Sequence, residues 1–377
     1  MIPLTKPDFD QLDEQILLQA FRSSFASGDG PDCRAFEKEL GAYLGAKHVF
    51  FVSSCTAALD LAYMVKDFPA GSEVLVPNFT FTSTALAPIL NNLKVVLVDV
   101  DPENGNIDFD DAERKITNNT VAISPVDYAG NPVDIKQMRR LAKDHGLYVV
   151  HDAAQSFGAE YEGKKIGTLA DTTCFSFHGT KNLVVGEGGA LVTEDDELAQ
   201  KILIARDKGT DKHLYLSDPN KRGYYEYVAK GNSYVQSNLL AAIGRGQLKK
   251  IDRLNGRREQ IAETYKAAFK DLPRVKLPKI TAGAATNWHL FYMLVQPSIK
   301  KDLIESIRAG GVMANIHYSP LHMNRYYRME EDPKSPLFPN STKYFDSLIR
   351  IPMYPTLTDA EVSQIVDVVR SSIVKLS

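Results

Sequence analysis

Cysteine is scarce: Cys33, Cys55 and Cys174 are the three in 377 residues. They are odd in number and far apart, and no C-x-x-C pair exists, so neither a disulfide framework nor a zinc site is indicated. A reducing, cytoplasmic setting fits. An excess of charge of one sign is also missing: 44 Lys and Arg against 47 Asp and Glu give a net charge of −3. That balance offers no footprint for nucleic acid and no polybasic patch for a membrane. No apolar run approaches the roughly 20 residues that cross a bilayer. The opening M-I-P-L-T-K-P-D-F-D lacks a basic stretch followed by an apolar one, so no secretory signal is expected. Internal repeats and low-complexity tracts are absent as well. What is present is ordinary globular composition, 44% apolar and 24% charged. The length predicts about two domains, with a core large enough to need no staples.

Over 36–196 short apolar runs alternate with helical patterns. F-E-K-E-L-G-A-Y-L-G places Phe36, Leu40, Tyr43 and Leu44 on one helical face, with Gly45 as the stop. K-H-V-F-F-V-S-S reads as a buried strand, and T-A-A-L-D-L-A-Y-M-V as a helix from Thr56. E-V-L-V-P, K-V-V-L-V-D-V, V-A-I-S-P-V and L-Y-V-V-H-D-A-A, the last running into a turn, follow as strands, with helices over 82–90 and 134–146 between them, the second capped by Gly146. This order predicts an α/β fold: a mixed, mainly parallel sheet with helices on both faces. After about Ile243 the character changes. The stretch from Gln247 to Phe269 reads as one long charged helix, H-L-F-Y-M-L-V as a strand, and Thr358-x-x-Glu361 as the capping box of the last helix. A smaller α+β domain is expected there, giving a division into 1–243 and 244–377. The tyrosine-rich segment 214–231 is expected to be a mobile loop.

Ligands of such sheets sit beyond the carboxyl ends of the strands, so polar residues just after strands carry the functional reading. Lys181 follows a predicted strand over 172–177 and precedes G-E-G-G. A solvated surface lysine is the plain alternative. A lysine in a desolvated pocket instead has a depressed pKa and can form a Schiff base. Asp152 ends the strand V-V-H-D. It is either a helix N-cap or the carboxylate that keeps the ring nitrogen of pyridoxal phosphate protonated. S-S-C-T-A-A-L runs from strand into helix, where free N–H groups and the hydroxyl of Thr56 suit either a phosphate or an ordinary cap. Cys55 reads as a packing residue. His151 and His178 lack partners at metal-ligand spacing and read as structural histidines. No G-x-G-x-x-G follows the first strand, which argues against a nicotinamide dehydrogenase.

S-S-C-T-A-A-L, V-P-N-F-T-F-T-S-T-A, D-A-A-Q-S-F-G-A, F-S-F-H-G-T-K-N-L-V-V-G-E-G-G-A-L-V-T and R-D-K-G-T-D together resemble the DegT/StrS-type sugar aminotransferases, fold-type I enzymes that use pyridoxal 5'-phosphate. The resemblance runs from about Pro3 to the C-terminus. It implies that 1–243 holds the cofactor and that Lys181 forms the Schiff base. It pairs Asp152 with the pyridine nitrogen and brings Gln155 to the ring hydroxyl. Thr56, Ala57 and Ser176 would hold the phosphate, and Phe81 would stack on the ring. Ser233, in G-N-S-Y-V-Q-S, would reach the phosphate of the neighbouring subunit of a homodimer. Tyr318 and His322, in I-H-Y-S-P-L-H, would face the sugar. Within the family, F-H-G-T-K-N, R-D-K-G-T-D and I-H-Y-S-P-L-H look closest to the transaminases acting on a nucleotide-linked keto sugar, dTDP-4-keto-6-deoxyglucose. L-glutamate is the implied donor and dTDP-4-amino-4,6-dideoxygalactose the product. The glucose-configured amine and 3-keto sugars remain open. One departure is Asp127, in V-D-Y-A-G, where relatives commonly carry His. Two rivals of other classes exist. A sugar dehydratase on this fold carries His in place of the lysine, and a non-catalytic regulator would not need the set of Asp152, Gln155 and Lys181.

Overall fold

The computed structural model describes residues 1–214, 223–327 and 337–376. Two helices, α1 (Gln11–Arg22) and α2 (Pro31–Leu44), precede β1 (His48–Val52) and α3 (Cys55–Met64). Then come β2 (Glu73–Pro77), α4 (Ser83–Leu90), β3 (Lys94–Val98), α5 (Phe109–Arg114), β4 (Thr120–Ile123), α6 (Ile135–His145) and β5 (Tyr148–Asp152). A short ribbon, β6 (Glu160–Tyr161) and β7 (Lys164–Lys165), leads to β8 (Thr172–Ser176), β9 (Gly189–Thr193) and α7 (Asp196–Arg206). The remainder holds α8 (Asn238–Leu248), α9 (Ile251–Phe269), β10 (Val275–Lys276), β11 (Ala284–Ala285), β12 (Phe291–Val295), α10 (Pro297–Ala309), α11 (Pro339–Ser347), β13 (Leu348–Ile351) and α12 (Asp359–Leu376).

The large sheet has seven strands in the order β1-β9-β8-β5-β4-β2-β3. Only β9 runs against the rest, antiparallel to both β1 and β8. The strands β2, β5, β8 and β9 are buried along their whole length, as expected of a sheet covered on both faces. One face packs Phe36, Leu40, Met138 and Leu141 from α2 and α6. The other packs Leu59, Ala62 and Ile202 from α3 and α7. Helix α6 starts at Asp134, whose carboxylate accepts from the N–H groups of Lys136 and Gln137, and stops at Gly146 with φ 65°. The capping box of α12 forms: Thr358 Oγ1 accepts from Glu361 N at 3.2 Å, and the Glu361 carboxylate from Thr358 N at 2.8 Å.

The C-terminal core gathers α9, α10 and α12 around the small sheet β10-β12-β13, and Ile2 joins it from the start of the chain. The helix expected from Gln247 to Phe269 is two helices, α8 and α9, broken at Lys249 and Lys250. The cause is tertiary. Lys250 is buried and its amine reaches the Asp8 carbonyl at 3.0 Å, Asp10 at 3.0 Å and Asp13. Helix α8 packs on α1 and α2 and spans position 243. Of the segment 214–231, residues 215–222 lie outside the described residues. No helix among the described residues is long and apolar enough to cross a membrane.

Candidate active site

Parallel strands deliver their following loops to one edge of the sheet. A cavity of about 420 Å³ opens there, lined by Thr56, Phe81, Asp152, Gln155, Ser176, Lys181 and Tyr318, among others. Seven of the ten residues singled out from the sequence therefore share one space.

Lys181 is held by its backbone. The loop after β8 closes on itself through Phe177 N to Gly188 O at 2.9 Å and Gly179 N to Gly186 O at 2.8 Å, and Lys181 N bonds His178 O at 2.9 Å. The next residue anchors the turn, since Asn182 Nδ2 donates to Asn287 O at 2.9 Å and to Asn255 Oδ1 at 2.8 Å. Gly186 sits at φ 101°, a conformation that favours glycine. The Lys181 amine makes no hydrogen bond or ion pair with any described residue. Burial pushes its pKa below the ordinary lysine value, against the pull of Cys55 and Asp152. It is thus an amine shifted toward its nucleophilic form, with no partner of its own among the described residues.

Asp152, at the end of β5, is the counterpart. Its Oδ2 accepts from Thr84 Oγ1 at 2.7 Å and its Oδ1 from Ala154 N at 3.1 Å. Burial pushes the carboxyl above the ordinary range, more than these bonds and the Lys181 charge pull it down. A desolvated carboxylate with no cation in contact among the described residues suits a protonated ring nitrogen. Gln155 Oε1 accepts from Ala129 N at 2.8 Å, while Nε2 is 3.4 Å from the Tyr318 hydroxyl.

The start of α3 supplies the anion cradle. Ser54 caps it, taking Ala57 N at 3.0 Å, so the Ala57 N–H already has a partner in this structure, and Ala57 does not line the cavity. Thr56 Oγ1 shares a hydrogen bond with Ser83 Oγ at 2.7 Å, and both face the cavity with Ser176. The approach of β9 is close: a Cβ on Gly189 would lie 2.5 Å from Cys55 N. Only glycine lets β9 lie this close to the backbone at the start of α3. Phe81 stands at the mouth, 54% exposed, its ring 5.8 Å from that of Tyr318.

Two predicted residues lie elsewhere. His322 is buried off the cavity, with Nδ1 2.7 Å from Asn78 Nδ2 and its ring against Phe338. Ser233 is exposed beside Asp207 and off the cavity of its own chain, its N–H bonded to Asn232 Oδ1 at 2.8 Å. Asp127 is fully buried behind the site. It accepts from Val133 N at 2.9 Å and Ser156 Oγ at 2.5 Å and meets His151 Nε2 at 2.8 Å. The departure at 127 is therefore absorbed by packing, and His151 is its structural partner. His178, by contrast, is exposed and lines the cavity rather than packing inside, with Nδ1 2.9 Å from Thr180 Oγ1. The Cys55 thiol is buried and pushed up by that burial. No group of three or more His, Cys, Asp or Glu suited to a metal exists among the described residues.

Residues missed in the sequence are Ser83, Thr84 and His317. The first two belong to T-F-T-S-T-A, whose run of hydroxyls was a usable signal. His317 lines the cavity, held through its carbonyl by the Tyr128 hydroxyl.

An amine with no partner among the described residues and a desolvated carboxylate share one cavity with a hydroxyl-rich helix start that β9 approaches at a glycine. That combination, at the carboxyl edge of this sheet, fits pyridoxal phosphate and defines a fold-type I aminotransferase. The chain belongs to the DegT/DnrJ/EryC1/StrS aminotransferase family, whose model matches residues 7–370, and is a pyridoxal phosphate-dependent sugar aminotransferase. It is 34% identical over 375 residues to the spore coat polysaccharide biosynthesis protein SpsC of Bacillus subtilis, covering 98% of this chain and 96% of that one. It is 33% identical over 335 residues to the UDP-4-amino-4,6-dideoxy-N-acetyl-beta-L-altrosamine transaminase of Campylobacter jejuni, covering 87% and 86%. The PMP form of Spr1654 from Streptococcus pneumoniae superposes with a TM-score of 0.94 at 25% identity, over 100% of both chains.

Proposed function

We propose that this enzyme moves the amino group of L-glutamate to the C4 ketone of dTDP-4-keto-6-deoxyglucose, giving dTDP-4-amino-4,6-dideoxygalactose. The observation that carries this reading is the pair of Lys181 and Asp152 in one cavity that is also lined by two uncharged hydrogen-bonding groups, His317 and Tyr318. Burial and then Arg350 push His317 down to about 4, and burial pushes Tyr318 up to about 12, so both are neutral hydrogen-bonding groups at physiological pH. Neutral donors and acceptors suit the hydroxyls of a sugar. The Campylobacter relative is named for a 4-amino-4,6-dideoxy sugar, which supports C4 as the position.

Bound pyridoxal phosphate supplies an electron sink. Lys181 is the amine that would hold its aldehyde, and Asp152 would keep the proton on its ring nitrogen. Thr56, Ser176 and the first turn of α3 would take the phosphate, Gln155 the ring hydroxyl, and Phe81 one ring face. Lys181 then takes the α-proton of the donor as general base and returns it as acid; in the sugar half it runs the same transfers in reverse. One site serves both halves, so ping-pong kinetics are expected. The division into 1–243 and 244–377 and a cytoplasmic location belong to the same reading; Cys33, Cys55 and Cys174 are all unpaired and buried.

The test is to supply L-glutamate with dTDP-4-keto-6-deoxyglucose, its UDP-linked counterpart and a 3-keto nucleotide sugar, and to determine the product by NMR. An axial amine at C4 of the dTDP sugar is expected. An equatorial amine, or one at C3, overturns the assignment.

The same reading makes the site a shared one. Ser233, exposed and off its own cavity, is the group assigned to the phosphate of a second copy. Cofactor affinity is then linked to dimerisation. Ser233→Ala is expected to weaken cofactor binding by about tenfold, the loss of one charge-assisted hydrogen bond. Sedimentation of apo and holo protein across dilution checks it: the holo dimer should be the tighter. A monomer that holds the cofactor as firmly as the dimer contradicts it.

A further inference from the structure

Arg350 lies in β13, where it pairs with Tyr292 of β12, and is only 5% exposed. Side chains directly opposite in a sheet share a face. That face carries Tyr292 into the aromatic cluster of Tyr128 and Tyr344. Among the described residues the guanidinium has one side-chain neighbour at hydrogen-bond reach, His317, whose ring nitrogens are 3.5 and 3.4 Å from Nη1. Its Nε and Nη2 are buried and have no partner among the described residues. These two nitrogens form one edge of the planar fork, the edge that meets a carboxylate with two parallel hydrogen bonds. No described carboxylate pairs with it. Arg258, also buried without a carboxylate, differs: its Nη1 donates to the Met353 carbonyl at 3.0 Å. A buried cation with its best edge unused calls for an anion.

The substrates decide which anion. In the proposed keto sugar the groups beside the reacting carbon are neutral, a hydroxyl on C3 and the methyl-bearing C5, and the diphosphate is attached elsewhere on the ring. In an amino acid the carboxylate is bonded to the reacting carbon itself. Only the donor half-reaction therefore brings a negative charge within one bond of the atom that Lys181 attends. Arg350 stands within electrostatic reach of Lys181 and against His317, which lines the cavity; Arg350 itself does not line it.

We propose that Arg350 recognises the carboxylate of the amino donor through its Nε–Nη2 edge, reached beside or past the His317 ring. The assignment rests on the aminotransferase reading and specifies how one site accepts two chemically unlike substrates. Arg350 serves the charged donor, while His317 and Tyr318 serve the uncharged sugar. It predicts that donor and acceptor recognition are separable by mutation.

The experiment uses the full-length holoenzyme and the variants Arg350→Met and Arg350→Lys. Donor and acceptor half-reactions are followed separately by cofactor absorbance, and glutarate, an unreactive dicarboxylate, is titrated by calorimetry. Arg350→Met is expected to weaken glutarate binding, and to raise the half-saturating glutamate concentration, on the order of 100-fold. Amine transfer from the PMP form to the keto sugar should fall by no more than about threefold, a differential that follows from the neutral acceptor. Arg350→Lys, which retains the buried charge but not the two-pronged edge, should lie between and decides the matter if the Met variant does not fold. Unchanged glutarate affinity, or equal losses in both half-reactions, overturns the proposal. A wild-type enzyme that aminates no keto sugar would defeat the acceptor assignment, and the glutarate titration would still decide on Arg350.

Discussion

Lys181→Ala is expected to lose turnover by at least about 10⁴-fold, because one side chain serves as both covalent anchor and proton carrier. The fold should survive. The loop is held by backbone bonds around residues 177–188 and by the Asn182 amide, none of which involves the Lys181 amine. The amine itself opposes folding. Its pKa is lowered in the folded state, so the unfolded chain binds that proton more tightly, and below the folded pKa the charge costs stability. Apo Lys181→Ala should therefore melt no lower than apo wild type at neutral pH. It should still bind the cofactor through the phosphate end. Borohydride reduction followed by peptide mapping would find label at residue 181 in the wild type and none in the variant. Near wild-type turnover in Lys181→Ala would remove the central assignment.

Asp152→Asn should lower the rate by on the order of 10²–10³-fold while leaving the protein folded. The amide cannot stabilise the charge that makes the ring an electron sink; each pK unit withdrawn from the ring nitrogen corresponds to about 1.4 kcal/mol. The local geometry accommodates the change. Thr84 Oγ1, which donates to Asp152 at 2.7 Å, can turn its hydrogen to the Phe81 carbonyl at 3.2 Å and accept from the new Nδ2. Ala154 N keeps the remaining oxygen as its acceptor. Burial raises the Asp152 carboxyl, so its ionisation costs folding free energy as pH rises through the folded pKa. At pH 7 apo Asp152→Asn should accordingly be at least as stable as apo wild type. With cofactor present the order should reverse, since only the carboxylate gains a cationic partner. Calorimetric melting of both proteins, with and without cofactor, checks the crossing. Equal cofactor stabilisation and an unchanged cofactor spectrum would count against Asp152 as the partner of the ring nitrogen.

Much of the site was readable because its residues follow strands. An apolar run that stops at a polar residue marks the carboxyl edge of a parallel sheet, and Asp152, Ser176 and Lys181 all announce themselves in that way. Thr56 does so as the first hydroxyl after a strand-to-helix turn. The contacts that tune these residues were not readable in the same sense. Thr84 reaches Asp152 across 68 residues of chain, and Asn182 meets Asn287 across 105. His322 and Tyr318 are close in sequence, yet one packs against Asn78 and the other lines the cavity, because the chain turns through Pro320 between them. Asp127, a departure in the sequence motif, is a buried clamp on His151, Ser156 and Val133.

By itself the sequence determined most of the alternation of strands and helices from α2 to β5, the covered sheet, the capping of α6 and α12, and the residue types that pyridoxal phosphate requires. All of these depend on periodicity or on neighbours a few residues apart. Only the tertiary structure decided where α8 ends and α9 begins, which hydroxyls serve Asp152, and that Arg350 is left with an unused edge against His317. These outcomes depend on burial and on distances between residues remote in the chain. Desolvation, rather than residue type, separates a reactive lysine from a surface one, and it exists only once the sheet and the C-terminal core have closed around the cavity.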